Sequence, residues 1–254
     1  MPVLLGGASA LKAKLMVVTA AEHGHVDDLR LLIAAKANIK ETVSGRSATQ
    51  WAVQNGHAAA IDVLLRAKAS VNCVNVKGEN WDVEVLRVLI AAKSDINRPN
   101  ETPLFWAVRD GNFEIVKLLL ATKANTELHP ISIGCTPLVL SVHQGDTELT
   151  RALIDAKANL EARSFRPSHR TPVALAIENQ HMATLELLVS AKADLESVCD
   201  GRSTPLINAV RYGTTTDALQ ILMNAKVDVN GTEYSGAVVY GKFNVQQDDI
   251  MPWA

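Results

Sequence analysis

The sequence predicts an all-α fold in which short helix pairs stack into a solenoid. Seven times an apolar segment ends in Ala-Lys-Ala or a close variant, and the successive lysines are separated by 32, 25, 30, 34, 35 and 34 residues. A period in this range is typical of helical repeats that bury their apolar faces against one another. Aromatic residues make up only 4% of the chain, so small aliphatic side chains must fill the core. The lysines are Lys36, Lys68, Lys93, Lys123, Lys157, Lys192 and Lys226.

The first two repeats are predicted as helix pairs. The first repeat begins directly at Leu15, turns at the Gly-His of residues 24–25 and ends in an apolar second helix. The second repeat has a degraded opening at residues 47–49 and keeps Trp51 in its first helix. We expect Trp51, and Trp106 at the matching position of the fourth repeat, to pack between repeats rather than to form an aromatic site.

The third repeat is too short for two helices, because its lysine follows the previous one after only 25 residues. Only residues 73–80 separate Asn72 from Trp81, and the apolar pattern predicts a single helix over residues 81–90. A missing first helix would leave apolar surface on the neighbouring repeats uncovered. For that reason an exon absent from the sequence, or an erroneous gene model, is the favoured explanation. A true kink or a groove for a partner is the alternative.

The fifth repeat shows the repeating element most clearly. Thr136 is placed to cap a helix that begins at Pro137, because proline lacks the amide hydrogen that would be unpaired at this position. Gly145 ends this first helix, and a second helix carries Leu149 and Leu153 on one face for burial. The fourth, sixth and seventh repeats open in the same way, at residues 102–104, 171–173 and 204–206.

The order Thr-Pro-Leu, Ala, Gly-His, Leu-Leu and Ala-Asp-Val-Asn resembles the ankyrin repeat family over residues 15–230. The resemblance implies about seven antiparallel helix pairs, the third truncated, with short β-hairpin-like fingers projecting from them at right angles. It also implies that the fingers and the inner helices bind other proteins. Residues 1–14 are then a lead-in, and residues 231–254 either cap the last repeat or form a docking peptide.

In this family, glycine occupies the position at which the chain has its repeated lysine, just past each second helix. Glycine suits the left-handed backbone there, and we expect a lysine to be strained by about 1–2 kcal/mol. Inheritance by repeat duplication explains the seven lysines; a lysine ladder that attracts an acidic partner is the alternative. The first is favoured, because charges one helix diameter apart, ~10 Å, lie near the Debye length and act weakly together.

The finger before the sixth repeat is two residues longer than the family pattern. It concentrates three arginines, a histidine and a phenylalanine between residues 163 and 170. Arginine and aromatic side chains are enriched at binding hot spots. A solvated loop is the simpler interpretation of this segment, but it is also the best single candidate for a contact site.

Composition and motifs exclude several classes of function. The formal net charge of −2 lacks the basic footprint that nucleic-acid binding needs. No apolar run reaches a membrane-spanning length, and Lys12 and Lys14 interrupt the apolar N-terminus, so we expect no signal peptide. The three cysteines have no metal or redox spacing, which fits reduced thiols in the cytoplasm, or in the nucleus. The histidines, carboxylates and glycines form no catalytic, metal or cofactor motif.

The favoured hypothesis is a monomeric, non-catalytic module that binds a protein partner through its fingers and the ends of its first helices. A regulatory or targeting fragment of a larger kinase, acyltransferase or channel is the alternative, and an intrinsic enzyme has no supporting residues. On the fingers, the candidate contacts are Arg46, Glu101, Arg163, Phe165, Arg166 and Arg170. On the first helices they are Gln54, Asn55, Arg109, Asp110, His143, Gln144, Glu178, Asn179, Arg211 and Tyr212.

Overall fold

A computed structural model of the chain describes residues 15–40, 42–70, 83–94, 97, 102–164, 169–198, 203–211 and 216–229. Within these ranges the chain forms thirteen helices and one pair of short strands, which confirms the predicted all-α repeat architecture. The chain divides into two compact units, Met1–Trp106 and Ala107–Ala254. The boundary falls within one helix, α6 (Pro103–Arg109).

The first unit contains two helix pairs, one further helix and the two strands. Its elements are α1 (residues 15–22), α2 (Val26–Ala34), β1 (Thr42–Val43), β2 (Arg46–Ser47), α3 (Ala48–Gln54), α4 (Ala58–Arg66) and α5 (Val83–Ala91). Their apolar faces share one core, in which Leu29, Ile61, Leu64 and Leu89 expose no surface. Burying each of these side chains stabilises the fold by about 1.5–3 kcal/mol.

The connections between a second helix and the next first helix are the fingers, which we number by the repeat that they precede. In the second finger, β1 and β2 pair antiparallel, with Thr42 opposite Ser47 and Val43 opposite Arg46. The two-residue loop between them is Ser44-Gly45, and both residues have positive φ, 53° and 75°. Two such residues form the primed turn that matches the twist of paired strands, so this finger is a true β-hairpin.

The second unit contains α7 (Phe113–Ala121), α8 (Pro137–Gln144), α9 (Thr147–Asp155), α10 (Pro172–Glu178), α11 (Met182–Ser190), α12 (Pro205–Arg211) and α13 (Thr216–Asn224). The first helices α8, α10 and α12 pack in sequence order. The second helices α7, α9, α11 and α13 form a parallel row in the same order. The two helices of a repeat therefore bury their apolar residues against each other and against the next repeat.

Helix starts in the second unit follow the predicted capping chemistry. The Thr136 hydroxyl accepts a hydrogen bond from Val139 N at 3.4 Å, and Pro137 follows it as the first helical residue. Thr171 makes the same cap with Ala174 N at 3.3 Å. Gly145 ends α8 in the left-handed conformation, with φ of 73°. Because each cap satisfies an amide that has no partner within the helix, these side chains fix where the helices begin.

All seven repeated lysines adopt the predicted left-handed backbone, with φ between 58° and 66°. After α9, Lys157 N donates to Ile154 O at 2.9 Å and Ala158 N donates to Leu153 O at 3.0 Å. These two bonds define a Schellman motif, which satisfies carbonyls at the helix end. The lysine repeat is therefore a structural stop signal.

Four sequence-based expectations fall on residues outside the described ranges. They are the lead-in at residues 1–14, the missing first helix of the third repeat, the longer tip of the sixth finger at residues 165–168 and the tail at residues 231–254. The single helix predicted over residues 81–90 is described as α5, Val83–Ala91.

Candidate functional site

The described candidate residues of the second unit lie on finger stems and on the last turns of first helices. We call this set the finger face. Its members are Arg109, Asp110, His143, Gln144, Arg163, Arg170, Glu178, Asn179 and Arg211. Four other candidates, Glu101, Phe165, Arg166 and Tyr212, lie outside the described residues, and Arg46, Gln54 and Asn55 belong to the first unit.

Hydrogen bonds link the ends of successive first helices along the finger face. Gln144 Nε2 donates to the Arg109 carbonyl at 2.9 Å, and Asn179 Nδ2 lies 3.1 Å from His143 Nδ1. The amide nitrogen can only donate, so His143 Nδ1 is the acceptor in this pair. Three consecutive repeats are thereby joined at the positions that the sequence assigned to partner contacts.

A histidine at the turn between helices adds a second tie. His181 precedes α11, and its Nε2 lies 3.2 Å from the His143 carbonyl of the previous repeat. The ring packs so closely on Gly145 that a Cβ there would lie 2.6 Å from it. In the first unit, His57 and Gly24 make the same arrangement, with His57 Nε2 3.0 Å from the Glu22 carbonyl. These histidines therefore have a structural role, since each joins two repeats.

Finger residues pair with the last turn of the following helix at a fixed spacing of eight. Arg170 Nε lies 3.1 Å from Glu178 Oε2, and these side chains are only 12% and 32% exposed. Arg211 Nη1 donates to the Ser203 hydroxyl at 2.8 Å. In the first unit, Arg46 Nη1 donates to Gln54 Oε1. Each finger member immediately precedes the helix N-cap, so the spacing follows from the helix length.

Trp51 anchors the corresponding surface of the first unit. It is half-buried, and the Arg46 guanidinium lies 5.1 Å from its ring centroid. Asn55 Nδ2 donates to the Trp51 carbonyl at 2.9 Å. Arg46 therefore contacts both the Trp51 ring and Gln54, whereas Asn55 is bonded to the Trp51 backbone.

Arg163 ties the sixth finger to the seventh. Its Nη1 donates to the Val198 carbonyl at 3.0 Å, and its Nη2 donates to the Ser197 hydroxyl at 3.1 Å. The sixth finger itself is closed by Ser164 and Arg170, since Ser164 N donates to Arg170 O at 3.0 Å and Arg170 N donates to the Ser164 hydroxyl at 3.1 Å. The stem of the longest finger is thus an ordered element.

Sequence reasoning missed a ladder of carboxylates at the finger bases. Glu127 Oε1 accepts from Asn159 N at 2.9 Å, and Glu161 Oε1 accepts from Asp194 N at 2.8 Å. Glu196 Oε1 accepts from Asp228 N at 2.7 Å. Each of these three carboxylates therefore bonds the backbone of the next repeat. The recurring Asn/Asp-x-Glu pattern after the lysine was the available signal.

The sequence analysis also missed two isoleucines of the fifth finger. Ile131 is 87% exposed and Ile133 is 40% exposed. They follow Pro130, whose carbonyl accepts from both Ile133 N and Gly134 N at 3.0 Å. Two aliphatic residues in an otherwise polar finger were the signal that could have revealed this surface.

The chemistry of the finger face suits recognition. Arg109 Nε donates to Asp110 Oδ1 at 2.8 Å, so charges of both signs lie side by side. Burial raises the pKa of the Cys135 thiol, which disfavours the nucleophilic thiolate. Across the described ranges no group of three or more His, Cys, Asp or Glu residues could hold a metal ion. Nor does any helix of the described chain reach the length and apolarity of a membrane span.

Comparisons with known proteins agree with this architecture. The ankyrin repeat family matches residues 73–164 as three repeat copies and residues 44–76 as a further repeat. A putative ankyrin repeat protein of Fowlpox virus (strain NVSL), FPV031, is 28% identical over 123 residues. That alignment covers 42% of this chain and 36% of the viral protein, so the chain spans about a third of this relative's length.

Two solved structures are similar. The ankyrin repeat domain of Bcl-3, a member of the IkappaB protein family, has a TM-score of 0.69 at 20% identity, and the match covers 82% of this chain and 97% of that one. The human ASB11 ankyrin repeat domain has a TM-score of 0.47 at 22% identity, covering 85% and 86% of the two chains. At these identities the likeness to Bcl-3 concerns the fold alone.

Proposed function

This chain belongs to the ankyrin repeat family, and from that premise we propose that it binds a partner protein through the finger face without catalysing a reaction itself. Ankyrin repeats are generally protein–protein interaction modules. The observation that supports this site is the run of hydrogen bonds from Arg109 to Gln144 and from His143 to Asn179. It links three repeats and holds the side chains of Gln144, His143 and Asn179 in one arrangement.

Pre-ordering favours binding, because side chains that are already fixed lose less entropy when a partner arrives. Immobilising a flexible side chain in an interface costs about 0.5–1.5 kcal/mol. Arg170 is held by Glu178, and Arg163 is held by Ser197 and Val198. The finger face therefore presents arginines, which are enriched in interfaces. Because contacts within the fold already restrict these side chains, they lose less entropy on binding.

The proposal also concerns the oligomeric state and the cellular compartment of the chain. We propose that the chain acts as a monomer in the cytoplasm or nucleus, where its cysteines stay reduced. Nucleic acid is not the proposed partner, because a net charge of −2 provides no basic footprint.

A second candidate is that the chain is the regulatory or targeting part of a larger protein with an enzyme or channel domain. The observation behind it is that the chain aligns with only 36% of the length of the Fowlpox relative. A transcript that joins this reading frame to a catalytic domain would favour this candidate.

The primary proposal is tested by quantitative affinity capture from cell extract, with mass spectrometry of the bound proteins. The finger-face variant carries Asp110→Ala, Gln144→Ala and Asn179→Ala. The matched control carries Arg151→Ala and Glu186→Ala, exposed residues of the second helices α9 and α11. We expect the finger-face variant to lose its specific partner at least about tenfold, because central interface residues carry most of the binding energy.

The control should retain the partner. Equal capture by the wild type and the finger-face variant, or loss confined to the control, would contradict the proposed site. Circular dichroism and thermal unfolding of both variants confirm that any loss does not come from unfolding.

A further inference from the structure

Resting on the proposed function, we propose that the fifth and sixth fingers dock an extended acidic segment of the partner that carries an aliphatic side chain. The apolar contact is provided by Ile131 and Ile133, and the acidic contact is provided by Arg163. Both lie on neighbouring fingers of the second unit, whose bases are joined by the bond from Asn159 N to Glu127.

Exposure identifies the apolar half of this site. Within the described residues, Ile131 is the most exposed of the large hydrophobic side chains, at 87%, and Ile133 two residues later is 40% exposed. Single exposed aliphatic residues are ordinary. Two in one finger, beside a proline, form a small apolar surface that a partner side chain can cover.

The turn that carries Ile131 is ordered. Ile133 N and Gly134 N both donate to the Pro130 carbonyl at 3.0 Å, and His129 Nδ1 lies 3.0 Å from the Glu127 carbonyl. The fixed φ of proline further restricts the chain at the start of this turn. Ile131 is consequently held out on a defined backbone, which lowers the entropy lost on binding.

Arg163 provides the charge. Its hydrogen bonds go to neutral oxygens: Val198 O at 3.0 Å, the Ser197 hydroxyl at 3.1 Å and His169 O at 3.4 Å. The neighbouring Arg170, in contrast, has a carboxylate partner in Glu178. Among the described residues, no carboxylate lies within ion-pair distance of Arg163, so its positive charge is not locally compensated.

The geometry of the Arg163 guanidinium favours a carboxylate. An arginine has five N–H donors, and the three bonds to described residues use two donors on Nη1 and one on Nη2. Nε–H and the second Nη2–H remain for a ligand that approaches from the side. A carboxylate accepts such a pair in a bidentate arrangement, which makes aspartate or glutamate the matching side chain.

The finger-base carboxylates already accept hydrogen bonds. Glu127, Glu161 and Glu196 each accept one from a backbone amide of the next repeat. Repulsion from the bases is weakened by solvent, since exposed charges a Debye length apart, about 8–10 Å, are largely screened.

A second copy of this chain fits the site poorly. The first unit has a surface groove of about 600 Å³ between α2 and α4 that could receive an isoleucine. Its rim carries Arg30 and Arg66, which are paired with Asp27 and Asp62. Because both carboxylates already have an arginine partner, Arg163 of another molecule would gain little there, and an acidic partner segment is the better match.

Repeat spacing predicts the sequence of the segment. Neighbouring repeats pack helices about 8–10 Å apart, and an extended chain advances about 3.3 Å per residue. The aliphatic residue that covers Ile131 and the acidic residue that meets Arg163 should therefore lie about two to three residues apart.

The test is selection of a random 12-residue peptide display library on the purified wild-type chain and on single variants. The variants are Ile131→Ser, Arg163→Glu, Arg163→Lys and, as matched charge-reversal control, Arg151→Glu on the exposed face of α9. Thermal unfolding within a few degrees of wild type confirms the fold of each variant. Fluorescence anisotropy with the selected peptides then gives dissociation constants.

We expect wild-type selection to enrich peptides with Asp or Glu about two to three residues from Leu, Ile or Val. Ile131→Ser should remove the aliphatic preference, and Arg163→Glu should remove the acidic one, each weakening the wild-type peptide at least about tenfold. Arg163→Lys should fall between, because lysine keeps the charge but lacks the side-on pair of donors. Arg151→Glu should leave the preference unchanged.

Three results would overturn the inference. One is a peptide preference insensitive to both Ile131→Ser and Arg163→Glu, which leaves the proposed protein-binding function intact. Another is recovery of no specific peptide while protein capture still depends on the finger face, which would indicate a folded partner surface. The third is concentration-dependent self-association that Ile131→Ser abolishes, which would assign the isoleucines to a second copy.

Discussion

The finger base of the first unit and those of the second share one turn but differ in the side chain that follows it. In the first unit, Lys40 N donates to Asn38 Oδ1 at 3.1 Å. In the second, Glu161 N donates to Asn159 Oδ1 at 3.0 Å. Only the glutamate can then accept a hydrogen bond from the following repeat, and it does so from Asp194 N.

The difference shows that the Asn/Asp-x-Glu segment at a finger base has two structural roles. The Asn or Asp residue reverses the chain locally, by bonding its own backbone two residues on. The glutamate couples that turn to the neighbouring repeat, and Glu127, Glu161 and Glu196 repeat this coupling through the second unit. Lysine has donors and no acceptor, so Lys40 preserves the turn without that coupling.

The largest expected effect concerns the buried apolar core that each unit contains. Leu153→Ala in the second unit and Leu64→Ala in the first should each lower the free energy of unfolding by about 2–5 kcal/mol, because both side chains expose no surface. Leu31→Ala is the control, since Leu31 is 69% exposed. Urea unfolding measures all three, and a Leu31→Ala loss as large as the others would contradict the described packing.

The glycines under the turn histidines come next. Gly145→Ala combines the strain of a positive φ, about 1–2 kcal/mol, with a Cβ only 2.6 Å from the His181 ring. We expect a total loss of about 2–3 kcal/mol. Gly111→Ala has a similar φ of 69° and nothing within 4 Å of the new Cβ, so it should show the φ strain alone.

Adding His181→Ala to Gly145→Ala measures the collision directly, as a double-mutant cycle. The two losses should be less than additive, because the ring that collides has been removed. Strict additivity would argue against the close contact. The same cycle with Gly24 and His57 measures whether the coupling free energy is equal in the first unit.

A smaller difference is expected between the finger-to-helix pairs of the two units. Arg170→Ala should cost about 1.5 kcal/mol, because it leaves a partly buried Glu178 without its ion-pair partner. Arg46→Ala should cost about 0.5 kcal/mol, since it removes an exposed contact with Gln54 and a cation–π contact with Trp51. Thermal unfolding at two salt concentrations compares them. A larger loss for Arg46→Ala would reverse the ranking.

The smallest expected effect concerns the finger bases themselves. Glu161→Ala removes one exposed hydrogen bond between repeats and should lower the free energy of unfolding by about 0.5–1.5 kcal/mol. Lys40→Ala leaves the Asn38 turn intact and should change stability by less than about 0.5 kcal/mol. Equal losses in chemical denaturation would mean that the carboxylate couples nothing.

Local chemistry explains what the sequence could predict. The Thr136 cap, the end of the helix at Gly145 and the left-handed conformation of Lys157 each depend on neighbours within a few residues. The repeat period then predicted that the helix pairs stack on one another. Most of the described finger-face candidates make specific polar contacts, although the sequence does not indicate which residues pair with one another.

Contacts between repeats explain what it could not. The Glu161 bond reaches an amide 33 residues away, and only the packed structure shows that this amide comes within range. The exposure of Ile131 depends on the turn made by Pro130 and Gly134, whereas pattern reasoning assigns an aliphatic residue to the core by default. The pairing of Arg170 with Glu178 likewise needed the finger to return to its own helix.

The central claim is that a partner binds the finger side of the second unit. Hydrogen–deuterium exchange with mass spectrometry, on the chain alone and saturated with the protein that it captures, tests this most directly. We predict slower exchange over residues 127–136 and 162–171, with the second helices at residues 147–155 and 182–190 unchanged. Protection confined to those second helices, with the fingers unaffected, would contradict the account.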